Sequence, residues 1–110
     1  MGLGRASIGT FLEEVRLNLA QLYGDRLASV ILYGSYARGE ASREHSDVDV
    51  LVVLNGTLER REEKKRTLEL VADLSLKHDA VLSLTFVEAE AFQAAEFSFY
   101  RAVQRDAVVL

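Results

Sequence analysis

Two short pieces of this sequence carry side chains whose types and spacing could do chemistry. The first is Asp47-Val48-Asp49. On an extended strand, residues two apart project from the same face, with Cα atoms roughly 6.5–7 Å apart. Two carboxylates on one face repel unless a cation lies between them, and hard oxygen ligands at that spacing suit Mg²⁺. The plain alternative is a strand that starts at a solvated rim with both aspartates in water. Against it stands the uniformly apolar run Val50 to Leu54, which marks a central strand whose polar start faces a cleft. The second piece is Gly34-Ser35. Glycine permits unusual dihedrals and a close approach to the backbone. Ser35 adds a hydroxyl, and the amides of the following turn would favour an anion such as a phosphate. Alone, Gly-Ser after a strand is an ordinary turn.

The elements that must position these residues can be read in order. Thr10-Phe11-Leu12-Glu13 matches a capping box and predicts a helix start there, with Leu12, Val15, Leu19 and Leu22 on one stripe. Gly24 is placed to end that helix at about Tyr23. Ser29 to Tyr33 is a short β-rich apolar run, most simply a buried strand. Gly34 breaks it, and Ser35 to Glu40 predicts a short helix. Asp47 to Leu54 is a second strand, closed by the turn pair Asn55-Gly56. Thr57 is placed to cap a long helix over about 58–78, buried through Leu70, Val71 and Leu74, with Glu62 and Arg66 at the favourable i,i+4 spacing. A strand at about Ala80 to Val87, helices over Glu88 to Ala95 and Ser98 to Arg105, and an edge strand Ala107 to Leu110 complete the order. The succession α-β-α-β-α-β-α-α-β implies one sheet with helices packed on it, an α/β or α+β fold.

Composition sets the outer limits. The 110 residues fit one domain, 1–110, of ordinary globular make-up, with 49% hydrophobic and 27% charged residues. Without cysteine there can be neither a disulfide framework nor a thiolate zinc site. That fits a reducing cytosol, so a cytoplasmic location is expected. The net charge of −4 argues against broad nucleic-acid binding, which needs a cationic surface. No apolar run approaches the roughly 20 residues that span a bilayer, so no membrane association is expected. Met1 to Gly9 has no apolar stretch of the kind a secretory leader needs.

Joined, the two chemical pieces read Gly-Ser, eleven intervening residues, then Asp-x-Asp, with Ala37-Arg38-Gly39 and Ser46-Asp47 at fixed internal places. This string resembles the signature of the DNA polymerase beta-like nucleotidyltransferase superfamily, in its short, stand-alone minimal nucleotidyltransferase branch. The segments Lys77-His78-Asp79 and Phe99-Tyr100-Arg101 resemble the tail of such domains. The resemblance implies transfer of a nucleoside monophosphate, AMP from ATP or a similar group, with pyrophosphate leaving. Asp47 and Asp49 would bind two Mg²⁺ ions, Gly34 and Ser35 would seat the β- and γ-phosphates, and Arg38 would either neutralise the leaving group or serve as a surface residue. It further implies a helical HEPN-type toxin as partner, with this chain as its antitoxin. A small domain leaves the acceptor hydroxyl to be presented by another protein. The antibiotic-inactivating relatives, which act on small molecules, carry a second domain.

One element of the superfamily pattern is missing. A third carboxylate is expected on the next strand, facing the first two. There the apolar face is Leu82, Leu84 and Phe86, and the expected position falls at Ser83 or Thr85, neither acidic. Asp79 shares their alternation parity and is the candidate substitute, although ending the preceding helix is its simpler role. Losing a general base costs about 10²–10⁴-fold in rate. The alternative reading is therefore a degenerate domain that binds a nucleotide or a partner without chemistry. His45 stands near the aspartates but reads as an exposed loop residue. Tyr33 reads as core, and Tyr36 is open. Phe92, Phe97, Phe99 and Tyr100 place four aromatics within nine residues, which predicts an interface, to a copy of this chain or to the partner, or a cover for the sheet.

Overall fold

The computed structural model describes residues 5–39, 47–94 and 98–110. Helix α1 spans Arg5–Tyr23 and passes through a 3₁₀ turn, Gly24–Arg26, into strand β1, Leu27–Tyr33. Helix α2 is a single turn, Ser35–Arg38, followed by strand β2, Val48–Leu54. Helix α3, Arg60–His78, leads to strand β3, Leu82–Glu88, and helices α4, Ala89–Ala94, and α5, Ser98–Asp106, precede strand β4, Val108–Val109. The order of elements is the one the sequence predicts, and the fold is mixed α/β.

The four strands lie in the order β3-β2-β1-β4. β1 pairs antiparallel with both β2 and β4, whereas β2 and β3 run parallel through the α3 crossover. β2 is therefore central, and all its residues are buried except Asp49, which is half-buried. Alternation along the strands divides the core in two. Val30, Leu32, Val50, Val52 and Phe86 face α1 and α3, together with Phe11, Val15, Leu19, Tyr23 and Leu74. Ile31, Leu51, Val53 and Val87 face the C-terminal helices through Ala89, Tyr100 and Val103.

Several boundaries differ from the sequence reading. α1 begins at Arg5, so the Thr10–Glu13 capping box lies inside a helix. A capping preference is worth only about 1 kcal/mol, and an established helix extends past it readily. The buried stripe of α1 is Phe11, Val15, Leu19 and Tyr23, all at i,i+4 spacing, while Leu22 is 41% exposed. α3 starts at Arg60 after an extended Glu59, with no side-chain cap, so Thr57 does not cap it. Leu58, just before this entry, packs on the core.

Arg66 pairs with Glu63 at 3.1 Å rather than with Glu62. Glu63 is buried and also accepts a 2.7 Å hydrogen bond from Tyr23 Oη, with Arg26 at 3.5 Å. This charged lock joins α1, the 3₁₀ turn and α3. Burial and then the Glu63 carboxylate push the Tyr23 hydroxyl well above its ordinary range. At the other end of α3, Glu14 holds Lys77 Nζ and His78 Nε2, each at 2.7 Å.

Candidate active site

The site forms where β1 and β2 end side by side. Tyr33 and Asp49 are partners across the antiparallel pair, so Gly34 immediately follows Asp49's neighbour. Gly34 has φ 76° and ψ −153°, a conformation open essentially to glycine alone. A Cβ built there would collide with Asp49 Oδ2 and come within 3.3 Å of Asp49 Cγ. Glycine is thus required for the dihedrals, and a side chain there would also displace the Asp49 carboxylate. The Gly34 carbonyl accepts the Arg38 N–H at 3.1 Å, which closes the single turn of α2. Ser35 opens that turn and is partly exposed.

Asp47 is exposed and Asp49 half-buried. Burial pushes the Asp49 carboxyl above its ordinary value, the negative charge of Asp47 pushes it further, and Arg38 acts in the opposite direction. The two aspartates therefore sense each other electrostatically, as the i,i+2 spacing predicts, and a cation between them would relieve that repulsion. The structure brings Gly34, Arg38, Asp47 and Asp49 together, with Ser35 beside Gly34.

The parallel register settles which residues of β3 share this face. Ser83 is the partner of Asp49, and Thr85 the partner of Leu51. Tyr33 Oη and Thr85 Oγ1 are 3.1 Å apart and hydrogen-bonded, so the Thr85 hydroxyl points to the Asp49 side of the sheet. Both positions named for a third carboxylate thus lie on the Asp49 face of the sheet, and hydroxyl residues occupy them. Asp79 precedes β3 by three residues. It closes α3 in the left-handed conformation, φ 50°, the role its place after Lys77-His78 suggested. Among the described residues no three His, Asp or Glu side chains gather closely enough to hold a metal. His45 lies outside the described residues.

Sequence reasoning missed a cleft beside this pair. It holds about 210 Å³ and lies between the end of β1 and α5, lined by Tyr33, Gly34, Arg38, Phe99, Val103 and Asp106. Tyr33 meets Phe99 edge-on at 5.6 Å, Phe99 meets Tyr100 at 5.8 Å, and Tyr100 meets Phe92 at 5.9 Å. Tyr100 is buried and Phe92 half-buried on the sheet, while Phe99 remains 43% exposed. The expected aromatic surface is thus mostly a cover for the sheet, with one ring left at the cleft. Phe97 lies outside the described residues. The signal was present in the parity of Tyr33, which shares a face with Ile31, but nothing in the sequence says which helix comes to meet it.

No described helix is long and apolar enough to cross a membrane. Residues 12–104 match the family model of the nucleotidyltransferase domain. Three Methanocaldococcus jannaschii proteins, each named as an inferred protein adenylyltransferase, are similar in sequence. One is 36% identical over 66% of this chain and 71% of its own length. A second is 37% identical over 74% of this chain and 55% of its own length, and a third 32% identical over 84% and 86%. Among solved structures, an inferred nucleotidyltransferase from Sulfolobus solfataricus superposes with a TM-score of 0.58 at 17% identity, covering 99% of this chain and 89% of that one. A chain of the MntA–HpeT toxin–antitoxin complex superposes with a TM-score of 0.55 at 19% identity, covering 88% and 70%. The matched span and the 36% identity place the chain in the nucleotidyltransferase domain family.

Proposed function

We propose that this chain transfers AMP from ATP to a hydroxyl group on a partner protein, with Asp47 and Asp49 as the metal-binding pair. The observation that carries this reading is the Asp49 carboxyl, fitted into the space left by Gly34 and raised in pKa by burial and by Asp47. A chain that places two like charges at a cleft and clears room for one of them is built to receive a cation. Mg²⁺, when bound, neutralises phosphate charge and activates the attacking hydroxyl.

Within that chemistry, Asp47 and Asp49 hold the ions. Gly34 lets the triphosphate approach the chain closely, and Ser35 offers a hydroxyl to its β- and γ-phosphates. Arg38, close enough to Asp49 to act on its ionisation, opposes the negative charge that builds on the departing pyrophosphate. The names of the three sequence relatives support protein as the acceptor class. The toxin–antitoxin structure of like fold supports a toxin as that protein, and the family resemblance of the Gly-Ser…Asp-x-Asp string makes a helical HEPN-type partner the one proposed.

The test is labelled ATP with Mg²⁺ and lysate or candidate partner proteins, in wild type and in Asp47→Asn and Asp49→Asn. Label should pass to a protein in the wild type only. Equal stabilisation of all three proteins by Mg²⁺ in thermal unfolding would refute the metal assignment. A second reading is favoured by one observation, the hydroxyl residues Ser83 and Thr85 where an acid would serve as base. Under it the chain binds Mg²⁺ and ATP and no label moves.

A further inference from the structure

The cleft between β1 and α5 is separate from the Asp47/Asp49 pair but shares Gly34 and Arg38 with its surroundings. Its volume, about 210 Å³, is below the roughly 300–1,000 Å³ of pockets that enclose whole drug-sized ligands. It takes one ring system, not a nucleotide. One wall is the Phe99 ring, which is 43% exposed and steadied from the side by Tyr33. A half-exposed ring held between two aromatic neighbours offers apolar surface on which a base can stack.

The opposite character comes from Asp106, the last residue of α5. The β1–β4 register, Ile31 with Val109 and Leu32 with Val108, carries Asp106 toward Gly34 when extended. The Asp106 carboxylate accepts hydrogen bonds, and Arg38 lines the same cleft. The cleft thus combines an aromatic face, a carboxylate and contiguity with the end of β1 next to Asp49.

We infer that this cleft is the base subsite of the nucleotide, with Phe99 stacking on the base and Asp106 accepting a hydrogen bond from its exocyclic amine. The inference rests on the nucleotide-binding reading above and adds a specificity determinant to it. A carboxylate favours adenine, whose edge carries an amine, over hypoxanthine, whose carbonyl oxygen at the same position repels it.

The experiment is calorimetry with the full chain and Mg²⁺, using non-transferable α,β-methylene analogues of ATP, of inosine triphosphate and of 2′-deoxy-ATP, with tripolyphosphate as the base-free probe. Phe99→Ala should weaken the ATP analogue about tenfold, as loss of base stacking does, and leave tripolyphosphate unchanged, which also shows that the variant is folded. The wild type should prefer the ATP over the inosine analogue by about tenfold, and Asp106→Asn, whose amide can donate to the carbonyl, should erase that preference. Tripolyphosphate binding as tightly as the ATP analogue, or Phe99→Ala weakening both alike, would overturn the base subsite alone. A change in the 2′-deoxy ratio instead of the inosine ratio in Asp106→Asn would assign Asp106 to the ribose and overturn its role here. Failure of every probe to bind the wild type would overturn the nucleotide reading together with this one.

Discussion

Replacing Gly34 by alanine separates two roles that the sequence cannot distinguish. The first is conformational. At φ 76° and ψ −153° an L-residue is strained, which costs about 1–3 kcal/mol. The second is steric, because the new Cβ falls on Asp49 Oδ2. A double-mutant cycle with Asp49→Ala isolates it. The Asp49 Cβ lies 3.4 Å from the added methyl, an ordinary contact, so truncation at that atom removes the clash and keeps the strand. Gly34→Ala alone should therefore cost about 2–4 kcal/mol, the strain plus a coupling within the 0.5–3 kcal/mol typical of residues in contact. In the Asp49→Ala background it should cost about 1 kcal/mol less. Urea denaturation of the four proteins measures this, and at about 4–8 °C per kcal/mol for a domain near this size the difference is also visible in Tm. Costs that add within about 0.3–0.5 kcal/mol would mean that the Asp49 carboxylate does not occupy the space left by Gly34.

Three further outcomes follow from the same structure. The folded-state pKa of Asp49 lies above its ordinary value of 3.8, so the native state holds that proton more tightly than the unfolded chain. The stabilising contribution of the proton is complete below 3.8 and is lost as pH rises through the folded value. Asp49→Asn should accordingly be more stable than wild type at pH 7 without metal, with the gain vanishing towards pH 3.8, as pH-dependent urea titration would show. No gain at pH 7 would contradict the assigned shift. Ser83→Asp, in register with Asp49, should raise Mg²⁺ affinity in calorimetry. Thr85→Asp should do so less, since it breaks the bond to Tyr33, and Asp79→Asn should leave affinity unchanged. A loss with Asp79→Asn equal to that of Asp47→Asn would make Asp79 the third ligand. Tyr23→Phe should cost about 1.5–3 kcal/mol, the value of a hydrogen bond to a charged group. The raised pKa of Tyr23 makes wild-type stability fall as pH rises above about 10, and Tyr23→Phe should lack that component. A wild type and variant with parallel alkaline limbs would refute it.

Element order was legible because each strand is a compact apolar run bounded by a glycine, an Asn-Gly pair or a charged helix end. The face of Asp49 was legible too, since strand alternation has a fixed period and needs no knowledge of partners. Ser83 and Thr85 could be named for the same reason, but only the parallel register shows that Ser83 is the one beside Asp49. Helix phase was less secure. A 3.6-residue period tolerates a neighbouring stripe, and Tyr23 rather than Leu22 fills the core position. The cleft at Phe99 and Asp106 was illegible because it arises from α5 meeting β1, a contact between segments about seventy residues apart with no spacing rule to connect them.

Glu63 and Asp49 show how far a carboxylate's neighbours, rather than its place in the sequence, separate structure from function. Both are withdrawn from water. Glu63, placed within a run of charges that reads as a solvated face, is almost fully buried and is met by a tyrosine hydroxyl and two arginines. Its charge is balanced inside the chain, so it stabilises the packing of α1 on α3 and asks for nothing from outside. Asp49 is less buried, yet the nearest charge that raises its pKa is another carboxylate, and Arg38 only partly offsets it. Burying a charge without full compensation is costly, and a fold retains such an arrangement where something from solution completes it. Under the proposed function Asp49 is where the cation would be received, whereas Glu63, with the stronger burial, already has its counter-charges within the chain.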